Sequence, residues 1–236
     1  MSSVCVRDVV RDDRAPAAGG PVKGPGTGGV VFGASVEGDE ESALYLMDAE
    51  GGGRTKLIDE PVGGEMSPAW YPDGARIAFT RWPDAAASEG GDGVAIWAMN
   101  ADGSDLERLT YGPGLADHAA WSPDGQHIAF SRYVTSKDAY AIFTMDPDVE
   151  EVRRIHAVTG APYGVSSSSP SWSPDGSRIA FVRDENQNRP GDSNLYVIDP
   201  DGSDLQRVSE EAAPTTTRRG PRTIAASRSS EAIRYG

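Results

Sequence analysis

The chain of 236 residues has a single cysteine, Cys5, so neither an internal disulfide framework nor a Cys-rich zinc site can form. Histidine is nearly as scarce, with His118, His127 and His156 the whole supply. Basic side chains are outnumbered 22 to 36 by carboxylates, a formal net charge of −14. Over 29–208 the count is 13 against 30, or −17, while both ends are mildly basic. Such a body excludes phosphate-backbone binding, which needs clustered Lys and Arg. It suits solubility, attraction of cations or a basic protein partner. The leading segment MSSVCVRDVVRDDRAPAAGG has no apolar run of seven residues, so neither a secretory signal nor a membrane span is expected from it. As written, the sequence is expected to be cytoplasmic and to enter no membrane.

Catalytic signatures are missing too. No Gly-x-Ser-x-Gly occurs, and the run Ser166–Ser169 reads as loop, not nucleophile. A metal-dependent lyase or lactonase would need three or four convergent His or carboxylate ligands. His118, His156 and Asp117 form the only conceivable set for a metal or for acid–base work. His127, at a strand start, is expected at the surface.

What the chain has instead is repetition. Trp70, Trp121 and Trp172 stand 51 residues apart and open the phrases PAWYPDGARIAF, AAWSPDGQHIAF and PSWSPDGSRIAF. A fixed period of this size marks stacked copies of one supersecondary unit. Each copy reads as four short strands. The first ends on the tryptophan; a Pro-Asp-Gly turn (Asp73-Gly74, Asp124-Gly125, Asp175-Gly176) leads to the second, 76–79, 127–130 or 178–181. After a longer loop comes the third strand, 96–99, 142–145 or 195–198. A second Asp-x-Asp-Gly or Asn-x-Asp-Gly turn, in two of the copies, leads to the fourth. A further unit, with strands at 29–32, 44–48 and 54–58, lacks the first strand. Four-stranded units too thin to bury their own faces predict an all-β propeller of about four blades. A closed ring and an open arc both fit the repeat count, and self-association would follow from an incomplete ring. The organisation expected is a flexible Pro/Gly-rich lead-in over 1–28, the repeats over 29–208 and a disordered tail over 209–236.

These repeats resemble the TolB-type, WD-repeat-like β-propeller family, whose repeat contains P-x-W-S-P-D-G-x-x-I-A-F, then I-Y-x-M-D-x-D-G and an L-T ending. The likeness covers roughly 180 residues by the repeat reading. It implies a scaffold that binds a protein or peptide, and a periplasmic or extracellular location as the alternative to the cytoplasmic one. It also brings in a rival class: the family includes propeller domains of peptidases, whose nucleophile sits on a separate α/β-hydrolase domain.

Strand direction sorts the loops. The short, near-identical turns after strands one and three share one side. The opposite side collects the long, dissimilar loops 34–43, 82–94, 133–139 and 183–194 after strand two, and 59–68, 110–118 and 156–169 after strand four. Variable loops on a repeated scaffold are where binding is placed. They carry Glu37, Asp39, Glu40, Glu41, Asp84, Glu89, Asp92, Asp184, Glu185 and Asp192, with Asp59, Glu60, Glu65, Asp117, His118 and His156 on the same side. No cofactor is expected, calcium being the one cation that such oxygen-rich loops could attract. The tryptophans and Asp-Gly pairs are read as packing and turn chemistry.

Overall fold

The computed structural model describes residues 29–35, 42–58, 63–83, 93–112, 114–149, 151–156, 165–185 and 193–209. The segments expected to be a flexible lead-in and a disordered tail lie outside the described residues, but for Ser209. The first sheet has three strands, β1 (Val30–Ala34), β2 (Ala43–Met47) and β3 (Thr55–Lys56), in that order. The second is β4 (Glu65–Trp70), β5 (Arg76–Arg81), β6 (Ala95–Asn100) and β7 (Glu107–Arg108). The third is β8 (Ala116–Trp121), β9 (Ile128–Val134), β10 (Ala139–Met145) and β11 (Val152–His156). The fourth is β12 (Ser166–Trp172), β13 (Ile179–Asp184), β14 (Ser193–Ile198) and β15 (Gln206–Arg207). All pairings are antiparallel meanders. The protein is a four-bladed β-propeller, and the first blade has three described strands.

The tight turns form for local reasons. In the third blade the Asp124 carboxylate accepts from the Gln126 N–H at 3.0 Å and from the Ser122 hydroxyl at 2.5 Å. Asp175 does the same with the Ser177 N–H at 3.0 Å and the Ser173 hydroxyl at 2.6 Å, which holds its carboxyl down at about 2. Asp73 accepts from the Ala75 N–H at 2.7 Å. Gly125 must be glycine twice over: its φ is +71°, and a Cβ there would run into the Tyr71 ring.

The alternation Ile-Ala-Phe now has its explanation. Ile and Phe point back to the preceding blade, and Ala points forward to the next. Three apolar seams result. Val31, Leu44, Leu46 and Leu57 of the first blade meet Ile77, Phe79 and Met99 of the second. Ala78, Ile96, Ala98 and Leu109 of the second meet Trp121, Ile128, Phe130 and Met145 of the third. Ala129, Ile142 and Ile155 of the third meet Ile179, Phe181 and Ile198 of the fourth. The second and third sheets are thereby buried on both faces. Trp121 is 8% exposed and packs edge-on against Tyr71, ring centroids 4.9 Å apart.

Candidate functional site on the variable-loop face

The three innermost strands share a feature that the residue types do not announce. Three positions before each tryptophan the chain turns left-handed, at Ser67 (φ 52°), His118 (φ 55°) and Ser169 (φ 54°), none of them glycine. The ladder slips at the same places, between Met66 and Ala69, Asp117 and Ala120, and Ser168 and Ser171. Such bulges re-aim side chains and persist only where the surroundings hold them. At the second and third of these bulges a hydroxyl from the preceding blade does so. The His118 N–H donates to Thr80 Oγ1 at 3.2 Å, and the Ser169 N–H to Ser131 Oγ at 3.1 Å.

Around His118 this builds a small polar centre. Thr80 donates its hydroxyl to Asp117 Oδ1 at 2.6 Å, the His118 N–H reaches the same oxygen at 2.6 Å, and His118 Nδ1 lies 3.1 Å from Asp117 Oδ2. Burial alone would raise the Asp117 carboxyl, but the hydrogen bonds and charge of His118, with the Thr80 hydroxyl, outweigh it and hold it below the usual carboxylate range. Asp117 in turn adds to the effect of burial in pushing the Tyr140 phenol up.

The structure keeps His156 away from this centre. His118 lies on the innermost strand of the third blade and His156 on its outermost, three strand spacings or roughly 14 Å apart. His156 is buried against the Phe181 ring, centroids 5.0 Å apart, and its Nε2 has no hydrogen-bond partner. Burial, helped by the charge of Arg183, pushes it down to about 4. His127 is exposed as expected, but it also stacks on Trp172 and pairs with Asp146 at 3.0 Å. That pair borders a cleft of about 260 Å³ between the third and fourth blades, on the tight-turn side and so remote from the variable loops.

Of the acidic loop residues, Glu37, Asp39, Glu40, Glu41, Asp84, Glu89, Asp92 and Asp192 lie outside the described residues. Asp184 accepts from the Ser193 hydroxyl, and Glu185 from the Tyr196 hydroxyl at 2.5 Å. Glu65 is not displayed at all: it is fully buried, 3.6 Å from Arg81 Nε. Among the described residues no three His, Cys, Asp or Glu side chains converge to hold a metal ion. Two aromatics were passed over as site residues. Trp82 (43% exposed) follows β5 and Tyr111 (62% exposed) follows β7, which places both on the variable-loop side. Arg108 stacks over the Tyr111 ring, 5.1 Å from its centroid, and Arg132 of the next blade donates to the Tyr111 carbonyl.

Four antiparallel sheets packed through repeat-encoded seams, with dissimilar loops on one side, define a β-propeller of the kind that presents a loop face. The family model of the TolB beta propeller domain matches residues 10–210. The chain belongs to that family. It is 30% identical over 156 residues to an uncharacterised protein of Agrobacterium fabrum, covering 61% of this chain and 48% of the relative. It is 34% identical over 90 residues to the Tol-Pal system protein TolB of Alcanivorax borkumensis, covering 37% of this chain and 19% of that protein. Among solved structures, a putative TolB from Agrobacterium tumefaciens superposes with a TM-score of 0.64 at 24% identity, over 78% of this chain and 62% of the other. The chain thus spans half or less of the length of these two curated relatives. Among the described residues no helix is long and apolar enough to cross a membrane.

Proposed function

We propose that the chain is a non-enzymatic β-propeller scaffold that binds a basic protein or peptide segment through its variable-loop face. The observation that carries this reading is the joint placement of Trp82 and Tyr111, two large exposed aromatics, on the same side as Asp117, Asp184 and Glu185. Aromatic anchors supply contact area at low entropic cost and attract Lys and Arg side chains through their ring faces. Carboxylates around them steer a cationic partner and set its register more than they add affinity. Asp117 suits that role, since its depressed pKa keeps it ionised well below neutrality. The role requires no cofactor. Likeness to Tol-Pal system TolB proteins favours a periplasmic or extracellular site of action over a cytoplasmic one.

Selection of displayed random peptides on the immobilised chain tests this reading. Peptides rich in Lys and Arg should be enriched. Their binding should fall in Trp82→Ala/Tyr111→Ala and persist in Leu106→Ala/Val152→Ala, which alters exposed apolar residues on the tight-turn side. Enrichment without basic residues, or equal losses in both variants, would contradict it.

A further inference from the structure

The seams between blades are built from equivalent residues, so a gap in one seam can be compared with its filled counterpart. Between the second and third blades, Tyr71 packs edge-on against Trp121 and Val149 lies against the same core, which leaves Trp121 buried. Between the third and fourth blades the repeat puts Ser122 in place of Tyr71 and Gly202 in place of Val149. The Ser122 hydroxyl is turned onto Asp124 at 2.5 Å, and Gly202 has no side chain. The missing ring shows at the glycines of the tight turns. A Cβ at Gly125 would run into Tyr71, whereas at the equivalent Gly176 the first contact beyond the chain neighbours is Pro123 Cδ at 3.7 Å. Trp172 accordingly stays partly exposed, and the cleft of about 260 Å³ opens beside it.

The walls of the cleft select a class of ligand. Trp172 supplies a flat apolar wall, its indole N–H already donated to the Ala120 carbonyl at 3.1 Å. His127 lies nearly parallel to that ring, 15° between planes, and is held by Asp146 Oδ1 at 3.0 Å. Asp146, Glu151 and Asp201 bring three carboxylates to the lining. The hydroxyl and N–H of Ser203 hold the Asp201 carboxyl below the usual carboxylate range. Against them stands Arg153, exposed and fixed by its donation to the Asp201 carbonyl at 2.8 Å. An anion would meet the repulsion of all three carboxylates. A metal ion would lack ligands, because among the described residues no three His, Cys, Asp or Glu side chains converge. An organic cation needs no such convergence: spaced carboxylates stabilise its charge, and the indole face takes its body. The volume lies just below the roughly 300–1,000 Å³ of most ligand pockets, room for one head group on a ring or short chain. The exposed charge of Arg153 opposes a Lys- or Arg-rich segment laid across the opening and favours a free molecule.

We propose that the cleft between the third and fourth blades binds a small free organic cation, an ammonium or amidinium group on an aryl or short alkyl body. It is a second site, on the side opposite the variable loops, and is independent of the peptide-binding reading.

Titration of the full chain with benzylammonium, followed by the NMR signals of the tryptophan indole N–H groups, tests the proposal. The Trp172 signal should shift to saturation in the roughly millimolar range open to so small a ligand, and the Trp121 signal should stay in place. Benzyl alcohol, the neutral isostere, and benzoate, the anion, should bind roughly tenfold more weakly or less. Asp146→Asn/Glu151→Gln should weaken benzylammonium by about tenfold, as expected for two nearby surface charges. Asp102→Asn/Asp105→Asn removes the same charge from the matching turn of the second blade and should not. Ser122→Tyr supplies the ring that Tyr71 gives the neighbouring seam, and should abolish binding without lowering the melting temperature. Trp82→Ala/Tyr111→Ala, which strips the loop face, should leave benzylammonium binding unchanged, so the two readings fail separately. No saturable shift at Trp172, equal affinity for benzyl alcohol, or equal effects of the two carboxylate pairs would overturn the proposal. So would a blocked glycyl-lysyl-glycine peptide that binds more tightly than benzylammonium, because the site would then belong to a protein side chain.

Discussion

Replacing Trp121 by alanine is expected to cost about 3–5 kcal/mol, the range for truncating a large buried aromatic. The reason lies in its position. Trp121 closes the innermost strand of a blade with neighbours on both sides, is 8% exposed and packs on Tyr71 within the seam formed by Ala78, Ile128, Phe130 and Met145. Trp82 is half out in solvent, its indole N–H resting on Met66 Sδ at 3.3 Å, so Trp82→Ala should cost less than about 1 kcal/mol. Phenylalanine substitutions separate packing from hydrogen bonding. The Trp172 indole N–H donates to the Ala120 carbonyl at 3.1 Å, whereas the Trp121 N–H is buried without a partner. Trp172→Phe should thus lose a bond worth about 1 kcal/mol and strand a carbonyl, while Trp121→Phe loses none. Urea titrations followed by far-UV circular dichroism give all four values. Equal losses for Trp121→Ala and Trp82→Ala would refute the blade assignment, and a greater loss for Trp121→Phe than for Trp172→Phe would refute the hydrogen-bond account.

Three further outcomes follow from named contacts. Ser131→Ala and Thr80→Ala should each destabilise by about 1 kcal/mol through loss of the interblade bond to the bulged N–H, with Thr80→Ala also raising the pKa of Asp117, readable by NMR titration. Gly125→Ala should melt well below Gly176→Ala, because both share φ +71° but only the first drives a Cβ into the Tyr71 ring; equal melting temperatures would contradict this. His156 is held neutral with its pKa depressed from 6.5 to about 4, so its stabilising neutrality is present above pH 6.5 and lost as pH falls towards 4. The loss should approach about 3 kcal/mol and be absent from the pH–stability curve of His156→Phe; an unchanged curve in that variant would contradict this.

The fold was legible in the sequence because its causes are local and repeated. Asp124 and Gly125 make their turn from their own side chain and φ, and Ile128-Ala129-Phe130 states which residue faces which neighbour. The bulges were not legible. His118 and Ser169 are held left-handed by a hydroxyl one blade away, and nothing in their own types or in that of Ser67 marks the bulge. The sequence offers His118 and His156, with Asp117, as one candidate set. The antiparallel meander of the third blade, however, puts β8 and β11 at opposite edges of one sheet, and that holds the two histidines apart. Glu65 counts as surface charge in any composition tally, yet it is buried beside Arg81. Leu195 is exposed although its counterparts Ile96 and Ile142 are the same kind of residue and fully buried, a difference of surroundings that residue type does not carry.

The claim that the variable-loop face meets a basic partner is tested most directly by the association rate of a basic peptide selected on the native chain, measured at low and high salt. Exchanging Glu37, Asp39, Glu40 and Glu41 for Gln or Asn should slow association and flatten its salt dependence. Exchanging Asp102, Asp105, Asp201 and Asp204 on the tight-turn side for Asn removes as much charge and keeps acceptors for the Ser104 and Ser203 N–H groups. It should leave the rate unchanged. Equal rates and equal salt slopes for both variants and the native chain would mean that the acidic loops are only solubilising surface, and would contradict the account.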